Sequence, residues 1–272
     1  MIGGALRLRI YDFEYDNFRL SDLGFVICKF GGGGTDTVSN GAELSFNTVP
    51  SQRGVRHELT SIEYGDALTT TFQICKNPCY TSDEEVTVEE ARKIMRWLNR
   101  KEFHKFRFIN DEYIGIYFEA TFNVSRVEVG GIFRGFELEM TTNAPFAFYE
   151  PIDITITNTV ANGEKVIVSK SDEEGYIYPK MEITIDSDGD LEIHNDIEDR
   201  TMLIKGCKQG EVIKLDYPVI ETSLASHEIQ NDFNWRFFRI AKTFREDGNH
   251  VTISIPCTIK MTYSPIVKIG LI

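Results

Sequence analysis

The 272 residues exceed the ~100–150 of an ordinary single domain, so two compact units, each with its own core, are expected. A composition of 42% hydrophobic and 26% charged residues, with 19 Phe and 11 Tyr, is that of a folded chain supplied with rings to pack sheets, and excludes long disorder. The net charge of -13 excludes nucleic acid as a specific partner, because affinity for phosphates comes from Lys and Arg that displace counterions.

From the amino terminus, Leu6, Leu8 and Ile10 alternate with Arg7 and Arg9, the period-two pattern of a half-buried strand. The charges interleaved in MIGGALRLRIYDFEYD leave no apolar stretch for a signal peptide, and no later run reaches the ~18 apolar residues of a membrane span, so a soluble product of the cytoplasm is expected, with no membrane partner. Gly31 to Gly34 have no Lys-Ser or Lys-Thr after them and read as a flexible loop, not a phosphate cradle. Thr69 to Ile74 resumes the strand period. Cys28, Cys75, Cys79, Cys207 and Cys257 are odd in number and sit mostly in apolar alternating runs, which predicts reduced cysteines packed as small hydrophobes. Cys75 and Cys79 have no second ligand pair to complete a zinc site.

Within TVEEARKIMRWLNR the period changes. Ala91, Ile94, Met95 and Leu98 stand at helical spacing, Thr87 and Glu90 form a capping box, and Glu89 can pair with Lys93. Trp97 lies beside that stripe and suits either the core or an interface. Phe136 to Met140 is again a strand, and PFAFYEP at 145–151 interrupts the alternation, which sets the domain limits at 1–149 and 150–272.

The second half reads as all β. Ile152 to Ile156, Met181 to Ile185, and one long alternation of Val251, Ile253, Ile255, Cys257, Ile259 and Met261 are strands, with Pro256 favouring an edge or bulge. Asn158 to Gly163 and LDYP at 215–218 are turns, and Asp186, Asp188 and Asp190 around Gly189 fit a hairpin turn better than a calcium loop. The five histidines and the acidic runs form no catalytic constellation, so no enzyme, cofactor or metal is expected.

The order YDNFRLSDLGFVICKF, TTTFQICKNP, RKIMRWLNRKEFHKFRF, YIGIYFEATF and GFELEMTTNAPFAFY resembles the siphophage distal tail protein family. In the second half LEIHNDIEDRTMLIKGC, GEVIKLDYP, NDFNWRFFRI and VTISIPCTIKMTYSPIVKIG are similar to that family's second domain. The resemblance implies a mainly β chain: an N-terminal β-sandwich or barrel-like domain with one α-helix, then a galectin-like β-sandwich, in the compact form without inserted modules. It implies a structural part of a phage or prophage tail tip, made in the host cytoplasm and built into the virion. There the chain would form a homohexameric baseplate hub that joins the tail tube protein to the tail-associated baseplate protein and lets DNA pass. A tape-measure or receptor-binding protein would be a further neighbour. The family's clasp on the adjacent subunit is assigned to the 31–60 region, with Gly31, Gly32, Gly33, Gly34, Pro50, Arg53 and Arg56 as its residues. The competing class is a carbohydrate-binding protein of host surfaces, with Trp235, Phe237 and Phe238 as the sugar-facing side chains.

Overall fold

A computed structural model describes residues 10–30, 44–50, 57–65, 67–173, 175–241 and 248–270. The chain divides into two compact units, Met1–Phe148 with Lys268–Ile272, and Tyr149–Val267. Lys268–Ile272 thus group with the first unit, where the Tyr113 hydroxyl donates to the Gly270 carbonyl at 3.3 Å.

The first unit contains β1 (Phe13–Tyr15), β2 (Phe18–Arg19), β3 (Phe25–Cys28), β4 (Leu44–Pro50), β5 (His57–Tyr64), β6 (Thr69–Lys76), α1 (Val88–Leu98), β7 (His104–Phe108), β8 (Ile116–Val129) and β9 (Ile132–Thr142). Here β10 (Ala147–Tyr149) lies at its end. Its main sheet runs β2-β1-β7-β8-β9-β6-β3, with every register antiparallel. The path stays open and does not close into a barrel among the described residues. Asp16 and Asn17, at φ 53 and 62, form the two-residue turn between β1 and β2, a left-handed pair whose twist matches that of the flanking strands.

Alternate residues of β8 and β9 point inward. Phe118, Ala120 and Phe122 with Phe136, Leu138 and Met140 are buried, and each large side chain so removed from water contributes about 1.5–3 kcal/mol. The sheet is tightest where Gly135 faces Ile74: a Cβ there would stand 2.1 Å from the Ile74 carbonyl oxygen, so only glycine fits.

Helix α1 closes this core, and its capping box forms as expected. The Thr87 hydroxyl accepts from the Glu90 amide at 3.2 Å, and the Glu90 carboxylate accepts from the Thr87 amide at 2.8 Å. The buried stripe is rotated from the expected one: Ile94, Trp97 and Leu98 face inward, while Met95 is exposed. Trp97 wins the inward position because its ring stacks on Phe13 at 5.5 Å and its Nε1 donates to the Tyr15 carbonyl at 3.0 Å. Methionine offers no such polar tie.

The second unit holds β11 (Ile152–Asn158), β12 (Gly163–Ile167), β13 (Tyr176–Ile177), β14 (Lys180–Ile185), β15 (Gly189–Asn195), β16 (Arg200–Cys207), β17 (Val212–Asp216), β18 (Val219–Thr222), α2 (Ile229–Asp232), β19 (Ile240–Ala241), β20 (Asn249–Ile253), β21 (Cys257–Tyr263) and β22 (Ile266–Val267). A sheet in order β11-β21-β14-β17-β18 and another in order β12-β20-β15-β16 share one apolar interior, and β13 and β19 form a separate ribbon. Met181, Ile183 and Ile185 of β14 lie in that interior with Leu191 and Ile193 of β15 and Ile259 of β21.

Three expectations for this unit are corrected. The alternation from Val251 to Met261 is two strands, because Pro256 lacks an amide for either ladder and Ser254–Pro256 carries the chain from one sheet to the other. The Asp186 to Asp190 segment likewise joins strands of different sheets, so it is no hairpin turn. Instead, Asp188 accepts from the Gln209 amide at 2.8 Å, and Asp190 from that of Gly206 at 2.8 Å. The half read as all β also contains the single turn of α2.

Candidate assembly interface

In the first unit, among the described residues, β4 and β5 pair only with each other, as a two-stranded ribbon outside the main sheet. Register and alternation sort its residues cleanly. Leu44 is opposite Tyr64 and Phe46 opposite Ile62 on one face, while Ser45 opposes Glu63 and Asn47 opposes Ser61 on the other. The polar face is satisfied internally, with Asn47 Nδ2 donating to Ser61 Oγ at 3.0 Å and Ser45 Oγ to the Glu63 carbonyl at 3.3 Å. Among the described residues nothing covers the apolar face: Leu44, Phe46 and Ile62 are 50%, 60% and 53% exposed, and Tyr64 is anchored edge-on to Phe146 at 6.1 Å.

Pro50, expected in the clasp, ends β4, whereas Gly31, Gly32, Gly33, Gly34, Arg53 and Arg56 lie outside the described residues. Leu44, Phe46 and Ile62 were not singled out from the sequence. Their signal is the alternation of Leu44, Ser45, Phe46, Asn47 and of Ser61, Ile62, Glu63, Tyr64, next to a glycine run that carries no such period.

On β8 and β9 the outward face of the main sheet carries carboxylates held by neutral side chains. Glu137 accepts from Gln73 Nε2 at 3.0 Å, Glu139 from Asn123 Nδ2 at 3.0 Å, and Glu119 from the Asn143 amide group. These donors are neutral, and on the same face Lys105 of β7 stands opposite Glu119 while Arg107 pairs with Glu14.

In the second unit the sugar-surface expectation is corrected for two of its three residues. Phe237 and Phe238 are buried in the core with Phe233, since the residues after α2 turn their rings toward β16 and the facing sheet. Trp235 alone is outward, 54% exposed.

The buried charge of this unit is concentrated at Glu211. Its carboxylate accepts from the Thr222 hydroxyl, from the Lys208 amide at 3.0 Å, and meets His227 Nδ1 at 2.6 Å. Burial works to raise its pKa, but those hydrogen bonds and the imidazole prevail and hold it below the usual carboxylate range. The arrangement fastens the segment before α2 to β17 and β18. It does not activate a nucleophile, because the Thr222 hydroxyl donates to the carboxylate rather than to the imidazole.

The cysteines are free thiols. Cys207 and Cys257 are buried, and burial pushes their thiols up to about 11 and about 12, as for inert core cysteines. Among the described residues no three His, Cys, Asp or Glu side chains gather as metal ligands, and no helix is long and apolar enough to cross a membrane.

No curated protein matches the chain. Among solved structures, the Dit (gp 19.1) protein of SPP1, described as a paradigm of the hub adsorption apparatus in phages infecting Gram-positive hosts, is similar in fold. Its TM-score is 0.60 at 11% identity, over 94% of this chain and 99% of that one. Residues 8–144 match the family described as "Phage tail protein N-terminal domain", and residues 146–263 match "Phage tail C-terminal domain". The chain therefore belongs to the phage tail protein family and is a structural component of a virion tail.

Proposed function

We propose that the chain is a ring-forming hub at a phage tail tip, in which the β4–β5 ribbon of each copy clasps the next. One observation carries this reading: the ribbon leaves Leu44, Phe46 and Ile62 in solvent on one face while its other face is internally satisfied. A lone two-stranded hairpin is marginal in water, and an uncovered apolar face of this kind is stabilised by a partner surface. When the partner is an identical chain related by a rotation, the head-to-tail contact closes into a ring, here a homohexamer.

The fold shared with a protein described as a hub supports the same assignment. The ring would sit between the tail tube protein and the tail-associated baseplate protein, next to the tape-measure or receptor-binding protein, with the second unit as a galectin-like sandwich. The face bearing Glu119, Glu137 and Glu139 would line the passage, where negative charge keeps transiting DNA from adhering.

Native mass spectrometry of the purified chain, alone and with its tube and baseplate neighbours, tests the clasp. A Phe46→Ser/Ile62→Ser variant should stay folded and fail to form the ring; a ring of unchanged mass in that variant, or a persistently monomeric wild type beside its neighbours, would defeat the reading. Virions carrying Glu119→Lys/Glu137→Lys/Glu139→Lys should eject DNA more slowly.

A further inference from the structure

The second unit turns aromatic side chains outward in one row, and we propose that this row binds a polysaccharide, whose sugar rings stack on Tyr217 and Trp235 while neighbouring arginines donate to its oxygens. The row is assembled from β13, the residue after it, the β17–β18 turn and the turn after α2. Tyr176 meets Tyr178 edge-on at 5.4 Å, Tyr178 and Tyr217 stack in parallel at 4.2 Å, Tyr217 meets Phe237 at 5.3 Å, and Phe237 meets Trp235 at 6.4 Å. Phe237 is the inner member. Tyr176, Tyr217 and Trp235 are 51%, 55% and 54% exposed.

Their outward placement is built in. Trp235 holds φ at 57, the left-handed region that bulky residues rarely occupy. Its turn is fixed by Trp235 Nε1 donating to the Gln230 carbonyl at 3.2 Å and by Asn234 Nδ2 donating to that of Thr201 at 3.0 Å. Such backbone strain around an exposed ring is of the kind that accumulates at binding sites.

Cations accompany the rings. The Arg239 guanidinium lies 3.6 Å from the centre of Tyr176 and is oriented by Glu198 at 2.7 Å. Arg200 Nε donates to the Phe237 carbonyl at 3.1 Å, and Arg236 adjoins Trp235 in the chain. No carboxylate pairs with Arg200 or Arg236 among the described residues, although the chain as a whole carries a charge of -13, and Asp216 beside Tyr217 is engaged by Lys180 at 2.8 Å.

A stable protein interface needs about 800 Å² from each partner. A row one side chain wide, with Pro218 and Val219 as its exposed aliphatic neighbours, is a strip rather than such a patch. It suits a linear polymer that alternates apolar ring faces with oxygens. The free guanidinium groups complement phosphate or carboxylate substituents on that polymer.

The proposal concerns the second unit alone and stands whether or not the chain forms a ring. The chain has two tryptophans, and Trp97 is 8% exposed, so acrylamide quenching of tryptophan fluorescence reads chiefly Trp235. The full-length protein would be titrated with dextran, which is neutral, and with a phosphomannan, which is anionic. At least one should shield Trp235 and retard the protein in a native gel containing it, and Tyr217→Ala should weaken that binding about tenfold without altering the circular dichroism. Shielding by phosphomannan alone, lost in Arg200→Gln/Arg236→Gln, assigns the anionic polymer; shielding by both assigns the sugar ring itself. The proposal is overturned by silence with both polymers together with a blank array of bacterial surface glycans, by undiminished binding in Tyr217→Ala, or by shielding of Trp235 only when other tail proteins are added.

Discussion

The interior of the first unit is made of rings. Phe13, Phe72, Phe106, Phe108, Phe122 and Trp97 pack at centroid distances from 4.8 to 6.5 Å. In the second unit the space between the sheets is filled largely by Ile, Leu, Met and Val, and Tyr176, Tyr217 and Trp235 are left at the surface. The first unit's buried rings thus build its core, whereas the second unit carries a row of rings at its surface. The ribbon that the first unit's sheet does not include carries Leu44, Phe46 and Ile62 in exposed positions on one face.

The largest expected effect is on the ring-built core. Trp97→Ala removes the stack on Phe13 and leaves the Tyr15 carbonyl without its donor. It should destabilise the first unit by about 3–5 kcal/mol, seen as a lower urea midpoint by circular dichroism. If the second unit's transition moved equally, the separation of the two cores would be wrong.

Next comes the aliphatic unit's buried charge. Because Glu211 is held below the usual carboxylate range, its contribution is present above about pH 4.3 and disappears as pH falls through its lower folded value. Glu211→Gln should lower stability at neutral pH and flatten its decline below about pH 4.3, in thermal melts taken across that range. A decline as steep as in the wild type would assign the acid sensitivity elsewhere.

Thr87→Ala, which removes an N-cap on the helix of the first unit, should cost about 1 kcal/mol in the same urea melts. The smallest effect on folding belongs to the ribbon. Phe46→Ser, at a side chain already 60% exposed, should change monomer stability by no more than about 0.5 kcal/mol while weakening self-association in sedimentation velocity.

What could be read from the sequence depended on how local the cause was. The Thr87–Glu90 cap and the alternation of Met181, Ile183 and Ile185 are set within a few residues, and both appear as expected. The choice of Trp97 over Met95 depends on Phe13 and Tyr15, more than 80 positions away by the 82-residue separation of the Trp97–Tyr15 bond, and no helical spacing encodes it. The change of sheet at Pro256 keeps the inward period on both sides, so the alternation alone cannot show it. For the proposed surfaces, the aromatic composition of NDFNWRFFRI does not separate Trp235, which is exposed, from Phe237 and Phe238, which are buried in the core. Tyr176 and Tyr217 join Trp235 only through the crossing of strands distant in sequence.

The return of Lys268–Ile272 to the first unit makes the second an insertion within the first, not a module appended to it. A fragment stopped at Phe148 would lose the Gly270 carbonyl that receives the Tyr113 hydroxyl and the Lys268 ammonium that lies 5.6 Å from the Tyr64 ring centre. Tyr64 roots the ribbon, so pruning the carboxy-terminal segment would loosen the element proposed to hold neighbouring copies together. Dissection of this protein into halves should therefore keep that last stretch with the amino-terminal piece.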